Sequence, residues 1–375
     1  MSSNACTSSC GSARACASST ATDSAVGGSN APGRSLARDG LGIRRDARED
    51  HTHPKPTFPM LARVADSLYW MSRYLERAEH STRILAVGLN TMLEQSPEQA
   101  AFQMKRMRHL LFFPSEIESD QQKILSWVVL DPQNRSSVFS CIASARENAR
   151  QVREQITSEM WEQVNRMYLD LKQARSGIWM YQPDALLRSI LEAIHLFRGY
   201  TIATMNHEQG YNFLELGRAI ERTESVTYLL EAHFVEESDQ EEQSAGLFGY
   251  LEWVSLLKSC TAFEAYCKVY TADLQATQIA EFLLLSGQSP RSVRYNSDVV
   301  LLTIRKIAEK SGRTSAKLDR LAGRLQATLR YGQIDEVMDD GLSPYLQQIR
   351  HQLVQIHNIV YQTYITYPIE KELTV

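Results

Sequence analysis

The chain has 375 residues, 43% of them apolar and 22% charged, and a formal net charge of −4. That length suits one large domain or two ordinary ones with a sizeable core. The mildly acidic balance argues against a dedicated nucleic-acid binder. No apolar run is long enough to cross a membrane, and no secretory leader opens the chain, so a cytoplasmic location is expected.

Residues 1–59 are rich in Ser, Ala, Gly and Arg and lack apolar periodicity. Such a segment cannot bury enough surface to offset chain entropy, so a disordered tail is expected. His51 and His53 form a His-x-His pair in it with no further ligand to make a metal site. The character of the sequence changes at Met60, which is a candidate start of the natural protein. Cys6, Cys10 and Cys16 fit no metal or redox spacing. Cys141, Cys260 and Cys267 lie in apolar helical stretches and read as small buried side chains in a reducing compartment.

From Val64 the apolar residues recur at spacings of three and four: Val64, Leu68, Met71, Leu75, Ala78, Leu85, Leu89 and Met92, with Thr82 in the same seam. This predicts a long bundle helix. The seam returns 145 residues later, Leu68 matching Phe213 and Leu75 matching Ile220, with Thr227 in the place of Thr82. The polar residues return with it. Arg73, Glu76, Arg77 and Glu79 become Arg218, Glu221, Arg222 and Glu224.

A second matched pair follows at an offset of 155, where 127–138 resembles 282–293. Two matched segments in one order predict a duplicated helical unit, with copy one at 60–205 and copy two at 206–375 packed as one body. The acidic run Glu236 to Gln243 is a candidate insertion. Val138, Ile142, Ala145, Ala149, Val152 and Ile156 predict another helix. Breakers at Pro97, Pro114, Pro132, Pro183, Gly210, Gly246, Gly287, Gly312 and Gly341 separate the elements. The expected fold is all-α, a bundle of stacked helix hairpins behind a disordered tail.

At about 100° per residue, Glu79 falls beside the seam of the first helix, Glu76 on its flank, and Arg73 and Arg77 on the opposite side. Carboxylates at the edge of a bundle need partners. Within reach along the helix, Arg73 pairs with Glu76 and Arg83 with Glu79. The stretch 144–150 adds Glu147 and Arg150. Three readings stay open: a Glu–Arg network that fixes helix register, a polar pocket for a peptide or amino acid, or a carboxylate-bound metal pair. Glu76-x-x-Glu79 followed by His80 favours the last, but copy two has Ser225 where copy one has His80. His195 stands in an apolar run and reads as a core histidine. No nucleotide-binding, hydrolase or metalloprotease motif appears, and no metal or cofactor is expected.

The stretch 60–79, with its Leu-Tyr-Trp-Met and Arg-Tyr-Leu-Glu-Arg-Ala-Glu, together with 144–150, 152–154, 195–197 and 213–222, resembles the alpha-E family. That family is an all-helical domain named for its Glu-Arg motif and carried as a tandem duplication. Arg135, where proline is expected, and Ser286-Gly287, where Asp-Pro is expected, depart from the pattern. The resemblance implies a bacterial peptide synthesis or modification system. In it the chain serves as a non-catalytic helical partner of an ATP-grasp ligase and transglutaminase-like proteins. An enzyme or peptide carrier using the carboxylate–arginine residues is the alternative. The motif residues it carries over are Glu76, Arg77, Glu221 and Arg222.

Overall fold

A computed structural model describes residues 60–114, 121–175, 182–234, 247–271 and 273–366. The expectations placed on 1–59, His51, His53, the three early cysteines and the run 236–243 lie outside these residues. The first half holds α1 (Ala62–Met92), α2 (Pro97–Leu110), α3 (Gln121–Leu125) continuing into a π-helical turn at Ser126–Leu130, α4 (Val138–Gln151), α5 (Ser158–Ala174) and α6 (Pro183–Thr204). The second holds α7 (Gln209–Phe234), α8 (Leu247–Ser259), α9 (Phe263–Tyr270), α10 (Ala276–Leu285), α11 (Val293–Ser311), α12 (Ala316–Tyr331), α13 (Ile334–Asp339) and α14 (Leu342–Val360), followed by a π-helical turn at Tyr361–Ile365. Among the described residues there is no strand, and the all-α expectation holds.

Helix ends fall where the breakers stand. Ser96 caps α2 with a reciprocal Gln99 bond and Pro97 at the first helical position. Gly312 closes α11 with φ of 67°, a conformation costly for any residue with a Cβ. The turns before α4 and α11 fold alike. Ser137 Oγ donates to Asp131 O and accepts from Ser140 N, while Ser292 Oγ donates to Ser286 O and accepts from Tyr295 N. The helix expected to reach Ile156 ends at Gln151. Val152 and Ile156 stay buried because the chain turns there, before Thr157 caps α5.

α1 and α7 lie against each other at the centre. α4 and α6 flank α1, and α5 packs on both of them. α11 and α14 flank α7, and α12 packs on both of them. Each central helix is therefore covered on several sides, which explains why Arg73, Glu76 and Glu79 are buried on α1 along with the apolar seam. Cys141 and Cys260 are buried and free, as expected, whereas Cys267 is partly exposed. No described helix is long and apolar enough to cross a membrane.

Candidate functional site

The two Glu-Arg motifs face each other because α1 and α7 approach closely. A Cβ placed on Gly217 would stand 2.3 Å from Tyr69 O and 2.4 Å from Ser72 Oγ, so only glycine fits there. One turn further along α7, Glu221 and Arg222 reach across to α1. The spacing of three and four residues keeps the charged groups of each helix on its facing side.

The first cluster is built around Glu76 and Glu79, which are 1% and 0% exposed. Arg222 grips Glu76 with two prongs, Nε to Oε1 at 2.6 Å and Nη2 to Oε2 at 2.9 Å. Arg291, from the turn before α11, donates to Glu76 Oε1 at 3.2 Å and also pairs with Glu79. Arg198 of α6 pairs with both carboxylates. Arg83 donates to Glu79 Oε1 at 2.9 Å, and His195 Nε2 lies 3.3 Å from the same oxygen.

The second cluster is built around Glu221 and Glu224. Arg73 Nε donates to Glu221 Oε2 at 2.6 Å, and its Nη2 donates to Glu224 Oε2 at 3.0 Å. Arg77 Nε donates to Glu221 Oε1 at 2.6 Å. Arg73 Nη1 also donates to the Tyr69 hydroxyl at 3.2 Å, which lies 2.8 Å from His357 Nδ1 of α14. The Arg73 guanidinium sits 5.1 Å from the Trp70 ring centre, a further cation–π contact.

Charge pairing fixes the protonation of these groups. Burial pushes the Glu76 carboxyl up, but Arg198 and Arg222 outweigh burial and hold it at about 2. Glu79 is held well below the carboxylate range against the same burial, by Arg198 and Arg291. Arg73 and Arg77 likewise outweigh burial at Glu221 and lower it. Glu224 goes the other way, raised by burial and by the neighbouring Glu221. A carboxylate locked as an anion by guanidiniums is a poor general acid or base near neutral pH. Nor does this set suit a metal: a cation on Glu76 and Glu79 would meet the Arg198 and Arg291 guanidiniums at the same oxygens. Among the described residues, no group of three or more His, Cys, Asp or Glu is arranged to hold an ion.

The structure thus brings Arg73, Glu76, Arg77, Glu79, Glu221, Arg222 and Glu224 together across α1 and α7. Arg218 turns to Glu215 on its own helix, at 3.1 Å from Nε to Oε1. Arg73 does not pair with Glu76, and neither Arg73 nor Arg77 faces away from the packed side. Both reach α7, because α1 is a central helix with more than one buried face. Glu147 and Arg150 bond each other on an exposed face of α4, at 2.6 Å. His195 is half exposed on α6 and is not a core histidine. Arg198 and Arg291 escaped sequence reasoning. The available signal for Arg291 was its place in the second matched segment, where the first segment carries Ser136.

Fold and site define a class: an all-helical protein whose two central helices are joined by a buried lattice of glutamates and arginines. The chain belongs to the Alpha-E family, a predicted alpha-helical domain with a conserved ER motif, whose profile matches residues 60–365. It is similar to uncharacterised proteins of Mycobacterium bovis and Mycobacterium tuberculosis. Each is 22% identical over 318 residues, covering 76% of this chain and 34% of the relative. The chain therefore spans about one third of the length of these curated relatives. No solved structure matches it.

Proposed function

We propose that this chain is a non-catalytic helical partner or scaffold for an ATP-grasp ligase in a cytoplasmic bacterial system that synthesises or modifies peptides. The observation that supports this most is the state of Glu76, Glu79 and Glu221. All three carboxylates are committed to guanidiniums and held ionised, so the Glu-Arg motif serves to join α1 to α7 and not to move protons. The length of the mycobacterial relatives fits the same reading. A module that matches a third of a longer chain is tethered to whatever the rest of that chain does, which raises its effective concentration at a partner site. The repeated packing order, α1 with α4, α5 and α6 and α7 with α11, α12 and α14, supports a tandem duplication as the origin of the scaffold.

The test is reconstitution with the ATP-grasp ligase of the same host. Peptide-dependent ATP hydrolysis is measured with and without this chain. Activity that requires the chain, and that persists in Glu76→Gln protein shown to be folded, supports a scaffold. ATP-independent chemistry on a peptide by this chain alone would make it an enzyme and overturn the reading.

A further inference from the structure

Beside the first cluster lies an open cavity of about 320 Å³, between α1, α6, α7 and the turn at Pro290. Four arginines border it: Arg198, Arg218, Arg222 and Arg291. Between them the lining is apolar, with Leu75, Phe197, Ile202 and Leu214. Glu215 borders it as well, paired with Arg218.

The charges of the cavity and the adjoining first cluster, taken together, do not balance. Arg83, Arg198, Arg218, Arg222 and Arg291 supply five guanidiniums, while Glu76, Glu79 and Glu215 supply three carboxylates, which leaves two positive charges over. Burial, reinforced by Arg291, Arg198 and Arg218, outweighs Glu76 and brings Arg222 down to about 10. Guanidiniums crowded in this way are stabilised by an anion entering from the open side. The second cluster has no such surplus at its centre, where Arg73 and Arg77 meet Glu221 and Glu224 two against two.

We infer that this cavity binds the carboxylate end of a peptide or acylated amino acid that carries an apolar side chain, with the carboxylate against Arg218 and Arg222 and the side chain against Phe197, Ile202 and Leu214. The choice of a carboxylate over a phosphate rests on the peptide-system reading above. Glu215 and Glu76 take the Nε and Nη2 groups of Arg218 and Arg222, so an incoming carboxylate meets the Nη1 side of each guanidinium, and the apolar residues select the residue that bears it.

Titration calorimetry on the full chain tests this with acetyl-leucyl-phenylalanine, its C-terminal amide and phenyl phosphate. The free acid is expected to bind, and the amide to bind at least about tenfold more weakly, since it loses the charge-assisted bonds. Arg218→Gln, which leaves every partner of Glu76 and Glu79 in place, is expected to weaken the acid about tenfold. Ile202→Ser, an exposed position that does not threaten folding, is expected to weaken acid and amide alike. Three results overturn the inference: equal binding of acid and amide, tighter binding of phenyl phosphate than of the acid, or no heat with any of the three up to about 10 mM. The measurement needs no ligase. A silent titration beside a chain-dependent ligase removes this inference alone, and binding without ligase dependence removes only the scaffold reading.

Discussion

Arg222 on α7 meets Glu76 on α1 as a two-pronged pair, with both guanidinium-to-carboxylate distances below 3 Å. Both residues are nearly sealed from water, at 5% and 1% exposure. Removing one member of such a pair leaves an uncompensated buried charge, which typically costs 3–5 kcal/mol. Glu76 also receives Arg198 and Arg291. Glu76→Gln is therefore expected to lower the unfolding free energy by about 4 kcal/mol in urea. Replacing both members, as in Glu76→Leu with Arg222→Met, is expected to recover part of that loss. A loss below about 1 kcal/mol for Glu76→Gln would mean that the pair is solvated in solution.

The exposed pair on α4 has the same chemistry without the burial. Glu147 and Arg150 bond at 2.6 Å, as short as the buried pairs, but their side chains are 49% and 59% exposed. Water and salt screen them, and the side chains lose freedom on pairing. Arg150→Ala is expected to leave the urea midpoint unchanged, whereas Arg73→Lys is expected to shift it clearly downward. Arg73 serves Glu221, Glu224 and Tyr69 at once through separate nitrogens, which a single ammonium cannot do. Equal effects of the two variants would contradict the role given to burial.

Gly217 sets the distance between the central helices. Any Cβ there meets the Tyr69 carbonyl, which is backbone and cannot rotate aside. Gly217→Ala is expected to push α1 and α7 apart and cost about 2 kcal/mol, the range for overpacking a tight core, although alanine is the better helix former. Thermal unfolding measures it. Adding Ser72→Ala removes only the side-chain clash, so the double variant is expected to stay destabilised. An unchanged or higher Tm would show that the two helices have room for a Cβ at this contact.

The helices themselves were legible in the sequence, because the seam from Leu68 to Leu89 and its echo from Phe213 to Phe234 follow helical spacing, and caps such as Ser96-Pro97 mark their ends. Glu76, Glu79, Glu221 and Arg222 were legible as a pattern for the same reason. Their partners were not. Periodicity gives one buried face per helix, so a central helix with several buried faces is misread, as Arg73 and Arg77 were. Long-range partners are set by packing, and nothing local in the run around Arg198 announces that it ends on Glu76. Arg291 sits in a turn that aligns with Ser136 at the offset of 155, so a comparison of the two matched segments weights it down just where the two clusters differ.

Acid should unfold the protein in two stages. Burial lowers the His80 imidazole to about 4, and burial, reinforced by Arg106, lowers His233 well below its usual value. In both cases the unfolded chain binds protons that the folded chain refuses, so stability falls as pH drops from about 6.5 towards 4. Glu76, Glu79 and Glu221 are depressed in the fold. Their stabilisation is present above about pH 4.5, the unfolded value, and is lost as pH falls through the folded values, which for Glu76 is about 2. Glu224, raised in the fold, opposes this: it binds its proton earlier in the native state and gains stability over that step. Urea midpoints measured from pH 7.5 to 3 are therefore expected to decline first below about pH 6.5 and more steeply below about 4.5. His233 Nδ1 donates to Leu229 O at 2.8 Å, and its Nε2 is buried without a partner. His233→Gln is expected to shrink the upper stage to the part His80 supplies while leaving the lower one. A midpoint that holds level to pH 4.5 in the natural sequence would mean that these imidazoles are open to water, and a lower stage that survives Glu76→Gln together with Glu221→Gln would detach acid unfolding from the lattice.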